Sequence, residues 1–460
     1  MRYDATMPRY HFSGIAGQGM NPLAQLMRAW GHDVQGSDRA FDLGKHQELA
    51  SKLRSQGIAL KPQDGSAITS GLNRFIFSTA VEADTPEIRA AKSLGIELVP
   101  RPQLLAEVVN AGQPGVAIAG TSGKSTVVGM LAWILRESAR PTTVLGGASL
   151  AGEGISGCFA VGSQHAAVIA EACESDGTLI GYRPGLGLIH NITRDHAEVA
   201  VLHRQFDVFA QQAKRLYVNS ACPEALAAAV GHPDVVRYGT GDQAAIPLEV
   251  IAIGPRRCQG VIGLPQGDLL LDLPQPGAHT LDNACAATAI ALELGLAPMA
   301  IASALRTFPG VARRFQDLGV TDSGMRIIDD FAHNAEKIKA AILAAQAGCD
   351  RLVAVWQPHG FGPARFMREE LKALLPAILR PQDRFCYSGI YYAGGTAVRD
   401  ISSQDLASDL PDSVRCGHAE NHRELLAWIA DTAIPGDTVM LMGARDPELP
   451  RLAQAVFDLL

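Results

Sequence analysis

Short apolar runs alternate along the chain with longer stretches in which apolar positions recur every three to four residues, and Gly, Pro, Asn or Asp marks most junctions. The first such unit is RYHFSGIAGQGMNPLAQLMRAWGHDVQGSD. It predicts an apolar strand, a Gly-rich turn, an amphipathic helix over about 22–30, a stop at Gly31 and a second strand ending at Asp38. Strands at 75–77 and 96–99, with helical stretches between them, extend this βαβ start to a small parallel-sheet domain over residues 1–110, and AGQPG at 111–115 reads as a linker.

VAIAG, TSGKST and the helix VVGMLAWILRES then restart the alternation. Strands AAVIAE (166–171), LGLIHNI (186–192) and RLYVN (215–219), with the helical run LDNACAATAIALELG (281–295), carry a second domain over 111–309. The β-rich, Gly/Pro-punctuated stretch 238–276 reads as a side sheet within it. A third domain, 310–460, contains MRIIDDFAHN, RLVAVWQPHG, DRFCYSG and GDTVMLMGARD, each an apolar strand ending in polar residues. The expected fold class is α/β, with three domains each on a mainly parallel sheet: Rossmann-like, P-loop and again Rossmann-like. Open parallel sheets bind ligands beyond the carboxyl ends of their strands, where Asp330, His359 and Asp446 would lie.

Composition narrows the class. A chain of 460 residues can bury several cores, and 47% hydrophobic with 19% charged residues excludes disorder, collagen and coiled coil. The net charge of −7 argues against a nucleic-acid partner held by a global positive field, so any phosphate must be bound locally. Eight cysteines without a C-x-x-C pair point to free thiols in a reducing compartment. The opening MRYDATMPRYHF has no basic region followed by an apolar stretch, and no apolar run approaches the ~18 residues of a spanning helix, so the expected location is the cytoplasm, with no membrane partner.

The strongest chemical motif is Gly120-Thr121-Ser122-Gly123-Lys124-Ser125-Thr126. It is shorter than the usual phosphate-binding loop, but it sits between a strand and a helix, where backbone N–H groups and the helix dipole cradle phosphate. Lys124 would neutralise phosphate charge and Ser125 would ligate Mg²⁺. Glu171 closes the next strand and can hold a metal, with Glu174 and Asp176 as competitors. His196 is a second candidate ligand on the same edge, with His190 as its competitor. In GIAGQG, Gly14, Gly17 and Gly19 suit a diphosphate, and Asp38 follows about twenty residues on. A dinucleotide oxidoreductase resting on that turn is a weak alternative, because Pro22 replaces the last glycine of the fingerprint.

In motif order and spacing the chain resembles the Mur ligase superfamily, in its alanine-adding and murein-tripeptide-adding branches. The resemblance rests on HFSGIAGQGM, GSD, STAV, RPQLLAE, AGTSGKST, EACESDGT, HNITRDH, HTLDNACAA, GVARRFQ, DDFAHN, QPHGF and GDTVMLMGARD. It implies an ATP- and Mg²⁺-dependent ligase that joins the carboxylate of UDP-N-acetylmuramate to an amino acid or short peptide through an acyl phosphate, in peptidoglycan precursor synthesis or recycling. A non-catalytic regulatory homologue that binds the UDP-sugar is the alternative from another class. The resemblance selects Glu171 and His196 as metal ligands beside Ser125. It puts His279 and Asn283 near adenine, sends Arg314 to the γ-phosphate with Arg313 as the competing choice, and takes Asp330 and His333 from the third domain. Gly14, Gly17, Gly19, Asp38, Ser78, His359 and Arg365 become substrate contacts, and a monomer or homodimer is expected. The family's usual forms differ at Ser122 (His), at Thr280 (Asn in the alanine-adding branch), and at Gly360 and Pro363, where that branch carries arginines. Those losses put L-alanine in doubt as the acceptor.

Overall fold

The computed structural model describes residues 7–78, 84–153, 158–174, 177–193, 199–392 and 398–460. The chain divides into two compact units, one of residues 1–252, 259–274 and 278–309, the other of residues 253–258, 275–277 and 310–460.

The first unit opens with five parallel strands: β1 (Arg9–Ser13), β2 (Asp33–Ser37), β3 (Ala59–Lys61), β4 (Arg74–Phe77) and β5 (Glu97–Pro100), in the order β3-β2-β1-β4-β5. The chain leaves β1 for one side and later returns to the other, so a crevice opens at the carboxyl end of β1. The helix after β1 runs Met20–Ala29, two residues earlier than its periodicity suggests, because Pro22 is tolerated in a first turn whose N–H groups have no partner inside the helix.

Ten strands form the second sheet of this unit: β6 (Gly115–Ala119), β7 (Thr143–Leu145), β8 (Cys158–Ala160), β9 (Val168–Ala172), β10 (Leu186–Ile189), β11 (Arg215–Asn219), β12 (Val235–Gly239), β13 (Ile246–Ile253), β14 (Cys258–Ile262) and β15 (Leu269–Leu273). Their order is β15-β14-β13-β12-β11-β10-β6-β9-β7-β8. The stretch 238–276 is therefore not a separate side sheet. β12 pairs with β13 through Tyr238↔Ile246 and Gly239↔Pro247, which makes these strands an extension of the central sheet. One-faced alternation in β14 and β15 marks them as strands but does not say which edge they join. The helix Lys124–Glu137 follows β6 and packs on the helix Ala278–Glu293, which starts three residues earlier than the sequence pattern indicates.

The second unit holds β16 (Gln316–Val320), β17 (Arg326–Asp330), β18 (Leu352–Trp356), β19 (Arg384–Tyr387), β20 (Cys416–His418) and β21 (Thr438–Met442), in the order β16-β17-β21-β18-β19-β20. All neighbours are parallel except β16, which runs antiparallel to β17. β16 escapes the sequence pattern because none of its residues is fully buried. Among the described residues, no helix is long and apolar enough to cross a membrane.

Candidate functional site

The loop 120–126 joins β6 to the N-terminus of the helix Lys124–Glu137. Its neighbour is the segment after β10, which leaves the sheet at Ile189 and bonds to the loop instead. Thr121 N–H donates to the Asn191 carbonyl (3.0 Å), Ser122 N–H to Asn191 Oδ1 (2.8 Å), and Asn191 Nδ2 returns a bond to the Ser122 carbonyl (3.1 Å). Gly123 sits at φ 84°, in the left-handed region, and a Cβ there would collide with Asn283 Oδ1 and come within 2.8 Å of His190 Cδ2. His190, 4% exposed, meets the Tyr238 hydroxyl through Nδ1 at 2.8 Å. Burial pushes its pKa down to about 4, against a hydrogen bond that the charged ring would donate to Asn283.

Lys124 Nζ bonds the Gly120 carbonyl and pairs with Glu174 at 2.8 Å. Burial alone would lower its pKa, but Glu174, with Cys173 and Glu171, holds the ammonium above the usual lysine value. Ser125 Oγ donates to Glu171 Oε2 at 3.0 Å, and Gly147 N–H binds Glu171 Oε1 at 2.6 Å. A hydroxyl and a carboxylate oxygen side by side at a helix N-terminus are the hard donors that Mg²⁺ takes, so this pair fits that ion. His196, the other expected ligand, and Asp176, a competitor of Glu171, lie outside the described residues. Thr126 lies in the first turn of the helix.

The Gly-rich turn after β1 is held from below. Gly14 (φ 81°) and Ile15 donate their N–H groups to the Ser37 carbonyl, and Ala16 N–H donates to Asp38 Oδ2 (2.9 Å) while Asp38 Oδ1 caps the following turn at Ala40 (2.9 Å). Asp38 thus braces the turn. Gly17 and Gly19 line a cavity of about 400 Å³, with Ser78, Arg101, Gly147, Glu171, Cys173 and Tyr182 among its other walls.

In the second unit, Arg313 and Arg314 separate clearly. Arg313 is 8% exposed, pairs with Asp329 (3.2 Å) and donates to the carbonyls of Gly443 (2.7 Å) and Ala444 (3.2 Å). Arg314 is half-buried and stacks over the Phe331 ring at 4.7 Å. Burial raises the Asp329 pKa to about 6 against the opposing charge of Arg313. Asp330 ends β17 and accepts from Phe315 N–H (2.6 Å) and Ala332 N–H (2.7 Å), and burial raises its pKa too. His333 Nδ1 donates to the Phe331 carbonyl (2.9 Å), and its ring meets that of His359 edge-on at 5.4 Å. Arg365 is bound by Asp400 and the Val398 carbonyl (3.1 Å).

Of the expected residues, the structure gathers Gly120, Lys124, Ser125, Glu171 and Asn283 around one loop, and Asp330, His333 and His359 along one sheet edge. Thr280 is buried on the helix Ala278–Glu293, whereas His279, one residue earlier, is exposed. Sequence reasoning passed over Asn191, which clamps the loop, and offered His190 only as the alternative metal ligand to His196, whereas it fills the space under the loop. HNITRDH contains both, but nothing in one strand's pattern says that its end turns toward another strand's loop. Arg101 on the cavity wall was likewise quoted within RPQLLAE without a role.

Three family descriptions match the chain in order: Mur ligase family, catalytic domain (residues 9–113), Mur ligase middle domain (118–291) and Mur ligase, glutamate ligase domain (313–445). A UDP-N-acetylmuramate–L-alanine ligase of Stenotrophomonas maltophilia is 35% identical over 463 aligned positions, covering 95% of this chain and 93% of that protein. One from Xanthomonas oryzae pv. oryzae is 33% identical with the same coverage. Among solved structures, a UDP-N-acetylmuramate–alanine ligase from Thermotoga maritima superposes with a TM-score of 0.77 at 21% identity, covering 98% of both chains. A murein peptide ligase from Psychrobacter arcticus superposes at 0.70 and 19% identity, again covering 98% of each chain.

Proposed function

The chain belongs to the Mur ligase family, and from that premise we propose that it is an ATP-dependent ligase joining the lactyl carboxylate of UDP-N-acetylmuramate to the amino group of an amino acid, L-alanine or similar, in peptidoglycan precursor synthesis in the cytoplasm. The observation that supports this most is the cavity of about 400 Å³, because its walls include both the Gly17–Gly19 turn, suited to a diphosphate, and Glu171 of the phosphate-loop site. A UDP-sugar seated on that turn would bring its carboxylate toward ATP.

In the reaction, a carboxylate oxygen attacks the γ-phosphorus and ADP leaves, giving an acyl phosphate. The amine then attacks the acyl carbon, and phosphate leaves as the amide forms. Loop amides of 120–126 and the Lys124 ammonium stabilise the charge that spreads over the transferring phosphoryl group. Ser125 and Glu171, with His196, would hold Mg²⁺, which when bound neutralises phosphate charge. Arg314, Asp330 and His333 would serve from residues 310–460, His279 and Asn283 the adenine side, and His359 with Arg365 the incoming amine. The assigned domains are 1–110 for the UDP-sugar, 111–309 for ATP and 310–460 for the acceptor.

Arg365 is already paired with Asp400, and Gly360 and Pro363 carry no charge, which favours testing peptides as well as alanine as acceptor. Phosphate release from ATP in the presence of UDP-N-acetylmuramate should require an amine. Comparing L-alanine, other amino acids and a murein tripeptide identifies which, and the absence of turnover with all of them would overturn the proposal.

A further inference from the structure

Beneath the Gly-rich turn lies a polar group that none of the steps above uses. Glu87, in the first turn of the helix Pro86–Ser93, is fully buried, as are His11 and Ser13 of β1 and Ser37 of β2. Ser13 and Ser37 end their strands side by side in register, and both hydroxyls donate to the Glu87 carboxylate, at 2.5 Å on Oε2 and 2.5 Å on Oε1. His11 Nε2 is 3.0 Å from Oε1. The proton on that ring is fixed by its other neighbour. Gln35 Nε2 donates to the Ala67 carbonyl (2.9 Å) and also faces His11 Nδ1 (3.1 Å), so Nδ1 accepts and Nε2 donates to Glu87.

Keeping a carboxylate in such a place costs desolvation, and well-packed apolar side chains of similar volume would often serve stability as well or better. What the carboxylate does hold is the geometry of the strand ends. The Ser37 carbonyl receives the amides of Gly14 (2.8 Å) and Ile15 (3.0 Å), and the next residue, Asp38, receives Ala16. There is no slack: a Cβ on Gly36 would lie 2.8 Å from the Phe12 carbonyl oxygen. The position of Ser13 and Ser37 therefore decides where the turn 14–19 stands, and Gly17 and Gly19 of that turn face the cavity.

We propose that Glu87 is a positioning residue for the diphosphate of the sugar nucleotide, drawing Ser13 and Ser37 together so that the turn between β1 and its helix presents its amides to the ligand. The inference rests on the assignment of this cavity to the UDP-sugar. It is tested on the full chain by titrating UDP and, separately, an ATP analogue into wild type, Glu87→Ala, Glu87→Gln and Ser37→Ala, together with KM and kcat for UDP-N-acetylmuramate.

Glu87→Ala should weaken UDP binding and raise the sugar-nucleotide KM by about tenfold or more, leaving ATP-analogue affinity and kcat at saturation within about twofold. Glu87→Gln keeps an acceptor oxygen for His11 and Ser37 and should recover most of the affinity. UDP affinity unchanged in Glu87→Ala, or equal losses for UDP and the ATP analogue, would overturn the inference while leaving the assigned activity standing. If Glu87→Ala does not fold, Ser37→Ala carries the comparison: it should weaken UDP binding more than Glu87→Gln does, and UDP affinity unchanged in Ser37→Ala overturns the inference equally. Wild type that binds no UDP would remove the cavity assignment and the inference together.

Discussion

Acidification should loosen the floor of the loop 120–126, because His190 is kept neutral there by burial. Its pKa is about 4 in the folded chain against an ordinary 6.5. The sign follows from proton counting: the unfolded chain takes up the proton more readily, so this histidine's contribution to stability is complete above pH 6.5 and is lost as pH falls toward 4. At pH 5 the unfolded imidazole is about 97% protonated and the folded one about 10%, which removes about 2 kcal/mol relative to neutral pH. Hydrogen exchange reads this locally, through the amides of Leu188, Ile189 and His190, the last of which bonds the Ala119 carbonyl at 2.9 Å. His190→Gln loses the Tyr238 contact at every pH but cannot titrate. The opening free energy, corrected for intrinsic exchange rates, should therefore fall between pH 7 and 5 by about 2 kcal/mol more in wild type than in the variant. An equal fall in both would refute the assignment of acid sensitivity to this ring.

Lys124→Ala should lower kcat by about 10²–10³-fold or more in a phosphate-release assay, with an unchanged circular dichroism spectrum. Gly123→Ala forces a side chain into left-handed backbone and against Asn283 and His190, and should raise the ATP KM by about tenfold while the sugar-nucleotide KM holds. Arg313→Ala strands Asp329 and two carbonyls in the interior and should cost about 3 kcal/mol or more in denaturant unfolding. Arg314→Ala should leave stability within about 0.5 kcal/mol and act on kcat, and the opposite pattern for the two arginines would reverse their assigned roles.

Strand–loop–helix alternation made three parallel-sheet segments legible, because buried parallel strands are nearly continuous apolar runs between Gly and Pro signals. Pairing was less accessible. That 238–276 joins β12 depends on hydrogen bonds between residues whose side-chain pattern is the same for either edge. At the site, residues inside a contiguous motif were readable, whereas Asn191, His190 and Glu174 gain their roles only when β10 and β9 are brought beside β6. Glu87 lies 74 residues from Ser13, and no local pattern distinguishes it from a helix-start glutamate facing solvent.

The Lys124–Glu174 pair makes the proposed phosphate site its own competitor. An anion that approaches the ammonium must first replace a carboxylate 2.8 Å away that is itself 4% exposed, so it must offer more than a single charge. A triphosphate brings the loop amides and the helix terminus into play along with Lys124, and it can displace Glu174 without leaving the lysine unpaired. Orthophosphate makes fewer of those contacts. The chain should thus tolerate millimolar inorganic phosphate with little product inhibition, and Glu174→Gln should turn that phosphate into an effective inhibitor.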